Sequence, residues 1–264
     1  MPVTPRSTAL VTGASSGIGA SYAKRLAARG HDLILVARRA DRLEKLASDL
    51  TSAFGVSVRT VIADLSSDAG MAEVANILVS DTSIDMLVNN AGVSYLGASM
   101  EIAPEAIDTL LAVNITALTR LSRAALGGFV ARNRGTIVNI GSVLAFKAPP
   151  IASAYSGTKA YVLLYTRGLQ AELKDTAVKV QAVLPAGVAT EIYDGTILPL
   201  DQIPAELVMN VDALVDAALA GLDRGEEVTL PSVGDLDLWA RFDAAQDALF
   251  AASQTGTPAP RYGV

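Results

Sequence analysis

With 264 residues, 51% of them hydrophobic and 18% charged, the chain is long enough for one large domain with an ample core. A net charge of −6 without a basic cluster argues against a nucleic-acid surface, and the lack of cysteine excludes disulfides, thiolate catalysis and cysteine-bound metals. The opening stretch MPVTPRSTALVTG has no apolar signal core, and no window reaches the roughly 18 apolar residues of a membrane span. A cytoplasmic protein without membrane attachment is expected.

In chain order, short β-type runs alternate with helical stretches. Strands are predicted at 8–12, 32–37, 56–63, 84–90, 135–141, 178–185 and 227–231. Helices are predicted near 18–29, 41–53, 68–80, 104–131, 154–174 and 211–223. The first, second, fourth and fifth strands have near-continuous apolar centres, as strands covered on both faces do. The alternation predicts an α/β fold: a Rossmann-type, doubly wound parallel sheet of about seven strands with right-handed crossovers. No linker, repeat or low-complexity block appears, so residues 1–264 are expected to form a single domain. Residues 188–210 lack a firm pattern and are expected to form a mobile flap over a substrate. Residues 232–264 add a helix and an extended tail.

The first strand runs into TGASSGIG (12–19), which opens the first helix. Gly13, Gly17 and Gly19 permit a tight turn, close approach of a pyrophosphate and close helix–strand packing. The helix N-terminus offers free N–H groups and a favourable dipole to phosphate. The second strand ends in VARR (36–39). An acid there would hold a ribose 2′-hydroxyl, whereas arginine accommodates a 2′-phosphate, so Arg38 and Arg39 point to NADP rather than NAD. Asp64, after the third strand, suits either an adenine amino group or a helix cap.

The stretch AYSGTKAYVLLYTRGL (154–169) places Tyr155 and Lys159 four residues apart, on one helical face. A nearby ammonium favours phenolate and would lower the tyrosine pKa towards the range useful to a proton donor. Taken alone, the pair is as readily a partly buried tyrosine beside a solvated lysine. Tyr161 and Tyr165 lie off the pair and are assigned to packing.

Together these motifs resemble the short-chain dehydrogenase/reductase family, in its single-domain branch, over roughly residues 6–231. The resemblance rests on TGASSGIG, Asp64-Leu65, NNAG (89–92), Asn114, Ser142 and Tyr155-Ser156-Gly157-Thr158-Lys159, in order and at the expected spacing. It implies that Tyr155 exchanges a proton with the substrate oxygen and that Lys159 lowers its pKa and holds the nicotinamide ribose. It also implies that Ser142 bonds the carbonyl oxygen and that Asn114 holds a water relaying protons to Lys159. It assigns cofactor contacts to Gly13, Ser15, Ser16, Gly17, Ile18 and Gly19, to Arg38, Arg39, Asp64 and Leu65, to Asn90, Ala91 and Gly92, and to Pro185, Gly187, Val188 and Thr190. The chain departs from the family pattern in three places. Ser16 stands where many NADP-using members carry a basic residue, which leaves more of that work to Arg38. Pro185-Ala186 replaces Pro-Gly, and about thirty residues follow the last strand.

The function expected is that of an NADPH-dependent carbonyl reductase, or the reverse alcohol dehydrogenase. Candidate pocket residues Tyr95, Val143, Leu144, Ile192, Tyr193 and Leu198 are mostly apolar and carry no positive charge, which points to an uncharged, hydrophobic small-molecule substrate. A non-catalytic NADP-binding regulator is the rival from another class, and such a protein could lose Tyr155 or Lys159, both present here. An enoyl reductase would show a wider tyrosine–lysine spacing, and a sugar epimerase would need a larger C-terminal domain. His31, the only histidine, follows the cap of the first helix and is assigned no catalytic role. No metal is expected. The run 235–250 is amphipathic with a mostly acidic polar face, which suits packing against the domain or a second subunit better than a membrane surface. Members of the family commonly pair through the helices at 104–131 and 154–174. Leu118, Leu121, Ala125, Phe129, Leu163, Leu164 and Leu169 give those helices apolar residues on more than one face, so a homodimer is expected, with a tetramer as the alternative.

Overall fold

The computed structural model describes residues 6–194 and 196–264; Met1–Pro5 and Gly195, the latter inside the expected flap, lie outside the described residues. The first of two compact units ends at Pro231. Its sheet contains β1 (Thr8–Thr12), β2 (Asp32–Ala37), β3 (Val58–Ile62), β4 (Ile84–Asn89), β5 (Gly135–Ile140), β6 (Val178–Val183) and, after a short ladder described below, β9 (Val228–Thr229). Their order across the sheet is β3-β2-β1-β4-β5-β6-β9, and every pairing is parallel. This is the predicted Rossmann-type arrangement. The order reverses between β1 and β4, which opens a crevice at their carboxyl ends.

Alternation along each strand divides the core into two layers. Ala9, Val11, Leu33, Leu35, Met86, Val88, Val138 and Ile140 face one side. There they meet α1 (Gly17–Ala28), α2 (Ala40–Phe54) and α7 (Val211–Arg224) through Tyr22, Leu26, Leu43, Leu46, Leu214 and Leu219. Leu10, Ile34, Val36, Leu87 and Ile137 face the other side. They pack on α3 (Asp68–Ser80), α5 (Leu118–Ala131) and α6 (Ser153–Leu173) through Met71, Val74, Leu121, Phe129 and Leu169. Covering both faces explains why these strands read as unbroken apolar runs. Each fully buried leucine among them contributes about 1.5–3 kcal/mol relative to exposure.

Three expectations need correction. The long helix predicted over 104–131 is α4 (Pro104–Leu111) joined to α5 by a π-helical segment, Ala112–Ala117. A π segment carries a wider turn that hydropathy spacing cannot reveal, and such segments gather at functional sites. The flap is tied at both ends, because β7 (Gly187–Val188) pairs in parallel with β8 (Val208–Met209). Short 3₁₀ turns at Glu191–Tyr193, Leu200–Gln202 and Ala205–Leu207 lie between them. Finally, Leu118, Leu121, Ala125, Phe129, Leu163 and Leu169 are buried within the chain, and only Leu164 of that set is exposed, at 63%. Both layers of helix need cover from their own sheet and neighbours, so most of the apolar faces assigned to a partner are consumed internally.

The second unit, Ser232–Val264, contains α8 (Leu236–Ser253), capped by the Asp235 side chain accepting from Asp237 N–H, and the Trp239 and Phe242 rings meet one turn apart at a tilt of 35°, with centroids at 5.5 Å. The tail, expected to be extended, closes a 3₁₀ turn at Pro260–Tyr262.

Candidate active site

The glycine turn lies at the carboxyl end of β1. Gly13 has φ +65, and a Cβ there would lie 2.9 Å from the Ala91 Cα. A Cβ on Gly19 would overlap the Gly13 carbonyl. Two residues clamp this turn to the end of β4. Thr12 Oγ1 accepts from the N–H groups of Asn90 and Ala91, both at 3.0 Å, and Asn90 Nδ2 donates to the Thr12 carbonyl at 2.9 Å. Asn90 thus holds the cleft together, and Thr12, not singled out in the sequence, shares the task. Ser16 begins α1 without capping it by its side chain. The first amides of Gly17, Ile18 and Gly19 therefore keep their unpaired donors, an arrangement suited to phosphate.

At the end of β2, Arg38 is exposed, and Arg39 turns back over the glycine turn. Arg39 donates from Nε and Nη2 to Ser15 Oγ and from Nη2 to Ser16 Oγ at 2.7 Å. The guanidinium thereby occupies the place beside Ser16 where the resemblance expected a basic residue to be missing. Arg39 Nη1 and Arg42 Nη1 both reach Glu191, at 2.7 and 2.6 Å. Arg42, then Arg39, hold the Glu191 carboxyl down at about 2. Neither Arg42 nor Glu191 was legible, because their meeting depends on the path of residues 188–191. Asp64 spends Oδ1 on the N–H and hydroxyl of Ser66, and these bonds, with the nearby charge of Arg38, keep its carboxyl below the usual range. It serves as a turn acid with one oxygen left over. Leu65 is buried in the core layer with Ile34 and Val36, so only its backbone is available to a ligand. Val188 is likewise a core side chain.

The residues expected to transfer a proton gather at the carboxyl end of β5. Lys159 is 7% exposed and donates to the Ile140 carbonyl at 3.0 Å. Its Nζ stands 5.5 Å from the Tyr155 ring centre. Burial lowers the Lys159 pKa to about 8. The expectation of a lowered Tyr155 pKa is overturned: burial, with the Tyr193 phenol nearby, pushes it well up. Desolvation penalises the phenolate more than a lysine bonded elsewhere can favour it. Ser142 caps the turn Val143–Ala145 by accepting from Leu144 N–H at 3.1 Å, which leaves its own hydrogen free to donate. Val143 N–H is held by the Pro185 carbonyl at 3.0 Å. Asn114, in the π segment, commits both ends of its amide. It accepts from Val93 N–H at 2.9 Å and donates to the Val93 carbonyl and to Thr158 Oγ1 at 3.0 and 3.1 Å. Its evident task is to pin the loop after β4 to α6, with Gly92 between it and Lys159.

Tyr193 lies beside Val188 and Tyr155, and burial raises its own pKa. A Cβ on Gly187 would come 3.8 Å from its hydroxyl. Tyr95, Val143, Leu144, Ile192 and Leu198 are all partly buried on the loops after β4 and β5 and in the flap. Thr190 leans over Gly17, 3.1 Å from where a Cβ would be. Tyr161 and Tyr165 stack on one another at 5.7 Å, and Tyr161 bonds Thr119, in keeping with packing. His31 sits at the opposite end of the sheet, before β2. Among the described residues no helix is long and apolar enough to cross a membrane, and no group of three His, Asp or Glu side chains converges.

A sequence profile of the short chain dehydrogenase family matches residues 7–197. The chain belongs to this family. Over 188 residues it is 35% identical to the very-long-chain 3-oxoacyl-CoA reductase of Anas platyrhynchos, a match covering 70% of this chain and 60% of that protein. The chain thus spans about three-fifths of the length of the curated relatives it matches. Two solved structures resemble it over nearly its whole length. The short-chain dehydrogenase from Sphingobium yanoikuyae in complex with NADPH has a TM-score of 0.93 at 45% identity, covering 97% of this chain and 100% of that one. The bulky-bulky ketone specific alcohol dehydrogenase from Comamonas testosteroni has a TM-score of 0.90 at 42% identity, covering 98% and 99%. In this short-chain dehydrogenase the tight glycine turn and the unspent amides of α1 fit a dinucleotide pyrophosphate, and the arginines after β2 fit a further phosphate.

Proposed function

We propose that this short-chain dehydrogenase uses NADP(H) to interconvert an uncharged, hydrophobic ketone or aldehyde and its alcohol. The observation that carries the reading is geometric: the Tyr155 ring is held 5.5 Å from the ammonium of the buried Lys159 at the end of β5. A phenol kept neutral is the form that can give a proton.

When bound, the nicotinamide supplies or accepts the hydride. The glycine turn and the N-terminus of α1 would hold the pyrophosphate, and Arg38, exposed at the end of β2, would meet the 2′-phosphate, with Arg39 and Arg42 close by and paired to Glu191. In the reductive direction Tyr155 gives its phenolic proton to the substrate oxygen as the carbonyl carbon gains hydride, and the alcohol results. Ser142 donates its free hydrogen to the same oxygen as negative charge develops there. Lys159 stabilises the phenolate left behind and returns it to the neutral form by proton exchange with solvent. Asn114 holds the loop after β4 against α6, which keeps Lys159 aimed at the β5 end.

The substrate class is read from the candidate pocket residues. Tyr95, Val143, Leu144, Ile192, Tyr193 and Leu198 offer apolar surface and no cation to meet a charged substrate. The near full-length similarity to a bulky-ketone alcohol dehydrogenase supports the same class. The partial similarity to 3-oxoacyl-CoA reductases makes an acyl thioester the competing substrate. The presence of both Tyr155 and Lys159 weighs against a non-catalytic NADP-binding regulator. A panel of bulky ketones and 3-oxoacyl thioesters with NADPH and NADH, followed by nicotinamide absorbance, tests the reading. Turnover of ketones with NADPH supports it; turnover confined to thioesters, or to NADH, contradicts it.

A further inference from the structure

Glu191 is the flap residue whose carboxylate bridges two arginines on the far side of the cofactor cleft. We propose that this carboxylate is an internal stand-in for the cofactor 2′-phosphate, so that binding of the phosphate exchanges Glu191 off the arginines and releases the first turn of the flap. The proposal rests on the NADP reading of Arg38 and Arg39.

Four observations lead there. Arg39 has no idle donor nitrogen: Nε and Nη2 serve the hydroxyls of Ser15 and Ser16, and Nη1 serves Glu191. Nη1 keeps a second N–H, but an incoming phosphate gains the N–H aimed at Glu191 by taking the place of the carboxylate. Arg42 is tied to the same carboxylate through Nη1. The partners are 40–45% exposed, so each ion pair is weak and exchangeable. A phosphate monoester carries close to two negative charges and three acceptor oxygens, which outcompetes one carboxylate and repels it. The fourth observation is position. Glu191 opens the turn Glu191–Tyr193, its neighbour Thr190 leans over Gly17, and Tyr193 lies beside Tyr155. Withdrawing Glu191 therefore loosens a segment that reaches both the phosphate cradle and the proton donor. NADH, which has no 2′-phosphate, would leave the bridge closed. Glu191 is thus a residue that sets cofactor discrimination and couples it to the flap.

The test uses the full chain and two probes, adenosine 2′,5′-bisphosphate and adenosine 5′-monophosphate, titrated by calorimetry against wild type and Glu191→Gln. Glutamine keeps the side-chain size and removes the competing charge. Wild type should prefer the bisphosphate. Glu191→Gln should bind the bisphosphate about 3- to 10-fold tighter, the equivalent of losing two exposed ion pairs as competitors, with the monophosphate changed less than about twofold. Amide hydrogen exchange over residues 190–194 should rise in wild type when the bisphosphate binds and should already be high in Glu191→Gln. Unchanged or weaker bisphosphate binding by Glu191→Gln would mean that the carboxylate holds the arginines in place rather than competing, and overturns the proposal. Exchange over 190–194 that falls in wild type on bisphosphate binding also overturns it. A wild type that does not distinguish the two probes removes the arginines from the phosphate site and overturns both the proposal and the reading beneath it.

Discussion

Lys159 Nζ donates to the Ile140 carbonyl at 3.0 Å, and the same ammonium stands 5.5 Å from the centre of the Tyr155 ring. The lysine is thus anchored to the strand end, and the tyrosine lies within reach of its charge. Burial works on the two groups in opposite directions, lowering the pKa of the lysine and raising that of the tyrosine.

This has a consequence for stability. Lys159 loses its proton near 8 in the folded protein, against 10.5 for an ordinary lysine. Between those values the unfolded chain binds more protons, so the stability from this group rises with pH across the window and is lost as pH falls through it. The full penalty below the window is roughly 3 kcal/mol. Tyr155 and Tyr22, with raised values, act the other way above 10, so the useful window is about 8 to 10. The melting temperature of Lys159→Met relative to wild type should be most favourable below pH 8 and should decline steadily towards pH 10. A difference that is flat with pH would contradict the assignment.

Arg38 is exposed and makes no ion pair among the described residues. Its guanidinium is open to the 2′-phosphate without any exchange. Arg38→Asp should weaken NADPH binding by roughly 10- to 100-fold, the worth of a charge-assisted hydrogen bond, while NADH binding holds or improves. Fluorescence titration with both nucleotides reads this out. An unchanged ratio would transfer the role to Arg39 and Arg42.

Gly13→Ala tests the cradle. The residue has φ +65, and the added methyl would meet the Ala91 Cα at 2.9 Å and Asn90 Nδ2 at 2.8 Å. The strain should cost roughly 1–3 kcal/mol and shift the turn off its Thr12–Asn90 clamp. A lower melting temperature together with loss of nucleotide binding is expected. Wild-type affinity for NADPH would mean that this turn does not carry the pyrophosphate.

Most of the architecture was legible, and the exceptions have physical causes. Strands covered on both faces leave unbroken apolar runs, so β1, β2, β4 and β5 could be read within a residue of their ends. The glycines of TGASSGIG and the Tyr155–Lys159 spacing were visible because their chemistry depends on local geometry, whereas Ser142 was reached through the family resemblance. The π segment around Asn114 was not visible, since it preserves helical hydropathy while widening one turn. Glu191 and Arg42 were missed because they lie 149 residues apart in sequence and meet only through the flap. The Tyr155 pKa was misjudged because the sequence shows a neighbouring charge but neither the desolvation of the phenol nor its closeness to Tyr193. Leu118, Leu121 and Phe129 were given to a partner because periodicity alone cannot tell a sheet, a neighbouring helix and a second chain apart.

The exposed apolar residues that remain on these helices are Leu111 on α4, Val130 on α5 and Leu164 on α6. We propose that they contribute to a homodimer contact. Light scattering after size exclusion should give the mass of at least two chains, and Leu164→Glu should shift it towards one. A monomeric wild type at micromolar concentration would contradict this, and deletion of residues 232–264 would show whether the second unit limits the assembly.

Turnover of a bulky ketone by Tyr155→Phe is the most direct test of the account. The substitution keeps the ring against Lys159 and Tyr193 and removes the hydroxyl that would give the proton. With NADPH, turnover should fall by at least the roughly 100-fold typical of a positioned acid, while NADPH affinity and melting temperature change little. Turnover near that of wild type in the purified variant would contradict the assignment of Tyr155 as the proton donor.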